Sequence, residues 1–190
     1  MKKKRFIYVL ALFLILSVLF ILFYFINLCA PDKVTRSTNL SSESIGGFKV
    51  HDSINNQSFR KRYGRPMSRE DNDLYDYYHW KDGLETASII SGSEKGSIMR
   101  FIIAGPIGQD GSIIDLFGNT LHTSGGIKLG DSKKKVISKY GKNYYKFFDD
   151  GSGENVIGYV DHKLGLKLEF ELTYGSNQVV RIYLEDEKVE

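Results

Sequence analysis

The chain contains a single cysteine, Cys29. No intramolecular disulfide can form, so any folded part must stand on its own hydrophobic core. Cys29 reads as apolar filler, with an intermolecular disulfide as the other use of a lone thiol. Charge of one sign is equally scarce. Lys and Arg number 26 against 23 Asp and Glu, a formal net charge of +3. That balance excludes a nucleic-acid polycation, and no nucleic-acid partner is expected. Catalytic motifs are missing too. None of the four histidines, His51, His79, His122 and His162, stands in HExxH or another metal-ligand spacing. "DDGSGE" at 149–154 lacks the alternation and the glutamate at position twelve of a calcium loop. "GPIGQDG" at 105–111 and "SGSEKG" at 91–96 lack the lysine-serine ending of a phosphate loop, and no GxSxG elbow occurs. These stretches read as turns. No enzyme, metal or cofactor is expected.

What the sequence does have begins at its start. Residues 1–5, "MKKKR", are a basic stub, and residues 6–28 run without a charge. At 1.5 Å per residue that run makes roughly 34 Å of helix, against a hydrocarbon core of about 30 Å. Three readings compete: an uncleaved transmembrane anchor, a cleaved signal peptide and a lipoprotein signal ending at Cys29. The run is long for a signal peptide. Leu28 is too bulky to precede a lipidated cysteine. The anchor is therefore the expectation. Lys2, Lys3, Lys4 and Arg5 put the amino terminus in the cytoplasm and residues 31–190 outside. The expected placement is a single-pass protein of the cell membrane.

Residues 31–45, "PDKVTRSTNLSSESI", are polar and without apolar period, and read as a flexible linker. Beyond it the chain repeats itself. "GGFKVHDS" at 46–53 answers "GGIKLGDS" at 125–132, and Tyr63-Gly64 answers Tyr140-Gly141. "YYHWKDGL" at 77–84 answers "YVDHKLGL" at 159–166, and "GSIIDLF" at 111–117 answers "NQVVRIYL" at 177–184. Three anchors in one order predict two units, 46–124 and 125–190, within one domain.

The same anchors predict local structure. Asp-Ser can cap a helix, and the glycine after each tyrosine can end one. A helix over 133–140 would put Val136 and Tyr140 on one face, and Phe59 and Tyr63 share that spacing. "LKLEFELTY" at 166–174 alternates strictly, the mark of a strand with one wet face carrying Lys167, Glu169 and Glu171. Strands are also expected near 75–80, 84–90, 97–105, 112–118, 156–162 and 179–184. The fold class is then α+β: an amino-terminal transmembrane helix followed by two tandem repeats, each a short helix on an antiparallel meander. One such unit alone buries a marginal core.

The series "TSGGIKLGDS", "VISKYGK", a tyrosine-bearing strand and a "VVRI" hairpin resembles the SmpA/OmlA-like lipoproteins of outer-membrane assembly. It is also similar to the tandem repeats of β-lactamase inhibitory protein and related envelope modules. The resemblance covers nearly all of 46–190 and rests on capped helices, glycines and strands. It implies a domain that binds other proteins through its sheet face or loops, without catalytic residues.

Two surface features point the same way. Arg60 and Arg62, with Lys133, Lys134, Lys135 and Lys139, form basic helix faces. Three lysines at a helix start oppose the helix dipole, which suits an anionic envelope partner, with a solubilising face as the other reading. Tyr75, Tyr77 and Trp80 fall in one strand, and such residues dominate interface hot spots. The expected function is a membrane-anchored extracytoplasmic binding module for a protein or envelope component. The alternative is a structural or regulatory subunit of a membrane complex acting through its transmembrane helix.

Overall fold

The computed structural model describes residues 8, 12–22, 24, 30–105 and 121–189, in two units, Met1–Thr35 and Arg36–Glu190. In the first, the described residues 12–22 are helical, and Pro31–Val34 forms one further turn, closed by the Thr35 hydroxyl donating to the Pro31 carbonyl (2.8 Å). Among the described residues no helix is long and apolar enough to cross a membrane. The expected span over 6–28 is corrected accordingly, and the single-pass placement and orientation built on it go with it. Most of the flanks of that run, and Cys29, lie outside the described residues.

Among the described residues the second unit holds eight strands: β1 (Ser68–Asp71), β2 (Tyr75–His79), β3 (Leu84–Ile89), β4 (Ile98–Ala104), β5 (Tyr145–Asp149), β6 (Glu154–Asp161), β7 (Leu166–Leu172) and β8 (Val179–Asp186). They form one antiparallel sheet in the order β1-β2-β3-β4-β8-β7-β6-β5. This corrects the expected fold of two tandem helix-on-meander repeats. β4 and β8 are apolar along most of their length and would each be a sticky edge if left unpaired. They pair with one another instead, from Arg100↔Glu185 to Ala104↔Arg181, and a single sheet results. The expected strand over 112–118 lies outside the described residues. The β1 rim is fully exposed and carries Arg69, Glu70 and Asp71, charges that discourage edge pairing.

Two short helices lie on one face. Helix α1 (Gln57–Tyr63) starts where the Asn56 side chain accepts the Ser58 N–H and stops at Gly64, φ 75°. Helix α2 (Lys133–Tyr140) starts where Ser132 accepts the Lys135 N–H and stops at Gly141, φ 91°. In both places the preceding aspartate does a different job from capping. Asp52 and Asp131 accept the amides of Lys49 (2.8 Å) and Lys128 (2.9 Å), each closing the turn before the helix. Phe59, Tyr63 and Val136 then pack on Leu84, Phe101, Leu168, Phe170, Ile182 and Leu184, all buried. Burying each such side chain stabilises by about 1.5–3 kcal/mol, so helices too short to persist alone are held by the sheet.

The stretch expected as a linker differs after residue 35. Leu40 and Ile45 are fully buried. The Thr38 amide donates to the Val160 carbonyl (2.7 Å) and the Leu40 amide to Asp161 Oδ2 (3.0 Å). Apolar residues spaced through a polar stretch gave no period, yet each finds a place in the core.

Candidate binding face of the sheet

Strand alternation sends half of the side chains away from the helices. Register then aligns these into rows that cross several strands. One row is Glu70, Tyr77, Ala87, Arg100, Glu185 and Lys167. The next is His79, Glu85, Ile102, Tyr183, Glu169, Gly158 and Tyr145. A third is Ala104, Arg181, Glu171, Val156 and Phe147.

The centre of this face is a network of alternating charge. Arg100 Nε donates to Glu185, and its Nη2 donates to the Val189 carbonyl (3.0 Å). Lys167 Nζ lies 3.5 Å from the other oxygen of Glu185. Arg181 donates to Glu171 Oε2 (2.8 Å), and the Tyr183 hydroxyl donates to Glu171 Oε1 (3.0 Å). The Tyr145 hydroxyl donates to Glu169 Oε1 (2.6 Å). Its ring lies across Gly158, where a Cβ would come within 2.2 Å of the ring. Burial raises the Glu169 carboxyl above the usual range, the charge of Glu185 adds to this, and Tyr145 and Lys167 oppose it. Burial likewise raises the Tyr183 hydroxyl, helped by Glu171. Arg100, Phe147, Val156, Glu169, Glu171 and Tyr183 help to line a depression of about 200 Å³. Phe147 stands at its margin, 40% exposed.

The residues singled out from sequence divide between the two sides. Tyr75 and Tyr77 lie on this face, both partly exposed. Trp80 does not. It is fully buried, its Nε1 donating to Thr86 Oγ1 (3.0 Å) and its ring 4.9 Å from Phe59. Arg60 covers that ring at 5.3 Å, and Arg62 lies 5.5 Å from the Tyr63 ring. Lys133 sits over Tyr144 at 5.7 Å, and Lys135 pairs with Asp131 at 2.8 Å. Lys134 and Lys139 are exposed on α2. The six basic residues therefore belong to the helix side, away from Tyr75 and Tyr77. Arg100, Arg181, Tyr183 and Glu185 were missed. Their signal was a single charged or aromatic residue at every second position of otherwise apolar strands.

No family model matches the chain, and no curated protein matches it. Among solved structures it is similar to an extracellular protein containing an SCP domain from Bacillus anthracis str. Ames, at 8% identity and a TM-score of 0.42, over 75% of this chain and 47% of that one. It is also similar to a DUF4309 family protein (YjgB) from Bacillus subtilis subsp. subtilis str. 168, at 14% identity and a TM-score of 0.44, over 74% of this chain and 82% of that one. A cysteine-rich secretory protein (SAV1118) from Staphylococcus aureus subsp. aureus Mu50 is similar at 12% identity and a TM-score of 0.45, over 83% of this chain and 49% of that one. The chain spans about half the length of the first and third of these proteins.

Proposed function

We propose that this protein is a binding module, without catalysis of its own, that engages a protein partner through the sheet face opposite its helices. One observation carries the reading. That face sets a network of fixed positive and negative charges between partly exposed aromatics, Tyr75 and Tyr77 on one flank and Phe147 on the other. Aromatics provide anchoring area at small entropic cost, and oriented charges select a partner by complementarity. The carboxylates of the network are taken up by neighbouring cations and hydroxyls, which favours recognition over proton transfer. The resemblance of the capped-helix and strand series to envelope binding modules supports the same reading.

The test is capture from a cell extract by the full chain, repeated with Tyr77→Ala, with Phe147→Asp and with Lys134→Glu on the helix side. Loss of one hot-spot aromatic is expected to weaken capture of a specific partner about tenfold or more. The Lys134→Glu variant is expected to capture as the parent does. Equal capture by all four proteins would remove this face from the function.

A further inference from the structure

At one end of the sheet, where β4 begins and β8 ends, a polar cleft of about 560 Å³ is entered by the side chain of His51. Two features set this residue apart. Its backbone is left-handed, φ 73°, a conformation that costs a non-glycine residue about 1 kcal/mol or more and persists only where surroundings impose it. Here the His51 amide donates to the Ile98 carbonyl (2.7 Å), and the Ser97 hydroxyl donates to the His51 carbonyl (3.2 Å). The ring is also fixed. Its Nε2 lies 2.8 Å from Asp186 Oδ2, and the Asp186 side chain is only 6% exposed. The second oxygen of Asp186 accepts the Lys188 amide (2.9 Å), so the carboxylate cannot swing away freely.

The chemistry of the ring follows. An ionised carboxylate only accepts, so Nε2 carries a proton toward Asp186, and in the neutral form of the ring Nδ1 is the acceptor. The His51 side chain is 54% exposed, and Nδ1 has no hydrogen-bond partner among the described residues. Around it the cleft gathers hydroxyls from Ser53, Ser93 and Ser97, and the acceptor Glu94. Lys95 and Lys188 also line it, and neither makes an ion pair among the described residues. Met99, nearly buried, supplies an apolar patch in the lining. Of the hydroxyls, Ser97 donates to the His51 carbonyl and Ser53 Oγ accepts the Asn55 amide (3.1 Å).

We infer that this cleft is a binding site for a hydroxyl-rich carboxylate, a uronic-acid saccharide, with Nδ1 of His51 accepting a sugar hydroxyl and Lys95 and Lys188 holding the carboxylate. Several acceptors, several small donors, two lysines that make no direct ion pair among the described residues although Glu94 and Asp186 share the lining, and one apolar patch match a ring that carries hydroxyls, a carboxylate and a C–H face. The site is separate from the sheet face proposed above and stands without it.

The test is saturation-transfer NMR and calorimetry on the full chain, with a galacturonate disaccharide as probe. Lactose serves as the neutral comparator and acetate as the simple anion. Saturable transfer to the uronate and none to lactose is expected. His51→Gly keeps the left-handed backbone without strain and removes the ring together with its contact to Asp186, and it is expected to weaken binding at least fivefold. Lys188→Ala and the surface change Lys95→Ala are each expected to do the same, and Lys134→Ala to leave it unaltered. No saturable uronate binding, equal binding of lactose or acetate, or unchanged affinity in the three cleft variants would each overturn the proposal.

Discussion

Tyr63 and Tyr140 close their helices at matching positions, yet their hydroxyls meet opposite fates. In the second helix the groups form a relay. The Ile127 amide donates to Thr123 Oγ1 (3.2 Å), whose hydroxyl donates to the Tyr140 oxygen (2.8 Å), whose proton goes to Glu43 Oε2 (3.2 Å). Glu43 is 7% exposed. Tyr140→Phe removes one hydrogen bond to a charged group and leaves the Thr123 hydroxyl without its acceptor. A cost of about 2–3 kcal/mol follows. The Tyr63 hydroxyl is buried and has no hydrogen-bond partner among the described residues. Burial raises its pKa, and the nearby charge of Arg62 only partly offsets this. Tyr63→Phe removes an orphaned polar group, so stability is expected to rise by up to about 1 kcal/mol. In a domain of this size 1 kcal/mol moves the melting temperature by roughly 2–4 °C. Thermal unfolding followed by circular dichroism should therefore separate the two variants by roughly 10 °C, with Tyr63→Phe above the parent. Equal destabilisation by both would refute the argument, because it would mean that ring packing alone, and not the hydroxyl environment, sets the cost.

Two further expectations concern the sheet face. Gly158→Ala places a methyl within 2.2 Å of the Tyr145 ring and should cost about 1–3 kcal/mol of unfolding free energy. Most of that cost should vanish when measured against a Tyr145→Ala background, and simple additivity in urea unfolding would show that the ring is not the obstacle. Glu169 and Asp149 should act on stability in opposite directions with pH. The Glu169 pKa is raised in the folded state by burial, so its contribution is fully present below its unfolded value of about 4.3 and is lost as pH rises through the folded one. Asp149 is held below the usual range by the Gly151 amide and then the Ser152 hydroxyl, so its contribution is present above about 3.9 and lost as pH falls through the folded value. Unfolding free energies measured between pH 3 and pH 8 should therefore fall less toward neutrality in Glu169→Gln and less toward acid in Asp149→Asn. Curves parallel to the parent at every pH would contradict both assignments.

Local signals in the sequence carried local structure well. The alternation in "LKLEFEL" lies within β7, and the serine cap and closing glycine bracket the helix at Lys133–Tyr140. Tyr75 and Tyr77 could be placed on one face of a strand, and they are. What was not legible is pairing between distant segments. Nothing in "SIMRFII" says that one of its two partners is "VVRIYLED", since its apolar residues suit a strand of either half. β5 was hidden because "YKFFD" has no alternation, and β1 because "SRED" is wholly polar. Trp80 was misjudged as a contact residue because its partner, Thr86, is reached only after the Lys81–Gly83 turn. His51 and Asp186 lie 135 residues apart, and neither neighbourhood announces the other.

The β4–β8 junction has a consequence for how the chain reaches this state. Every other neighbouring pair of strands is consecutive in sequence, so each can form by closing a short loop. The central seam joins Arg100 to Glu185 and waits for nearly all of the chain. Loop-closure entropy must be met there before the seam returns any favourable contact. During synthesis β4 spends the longest time as an open apolar edge, and the last strand of the sheet to emerge is the one that covers it. The interval between them is when this protein is most exposed to misassociation, and the carboxyl-terminal strand ends it.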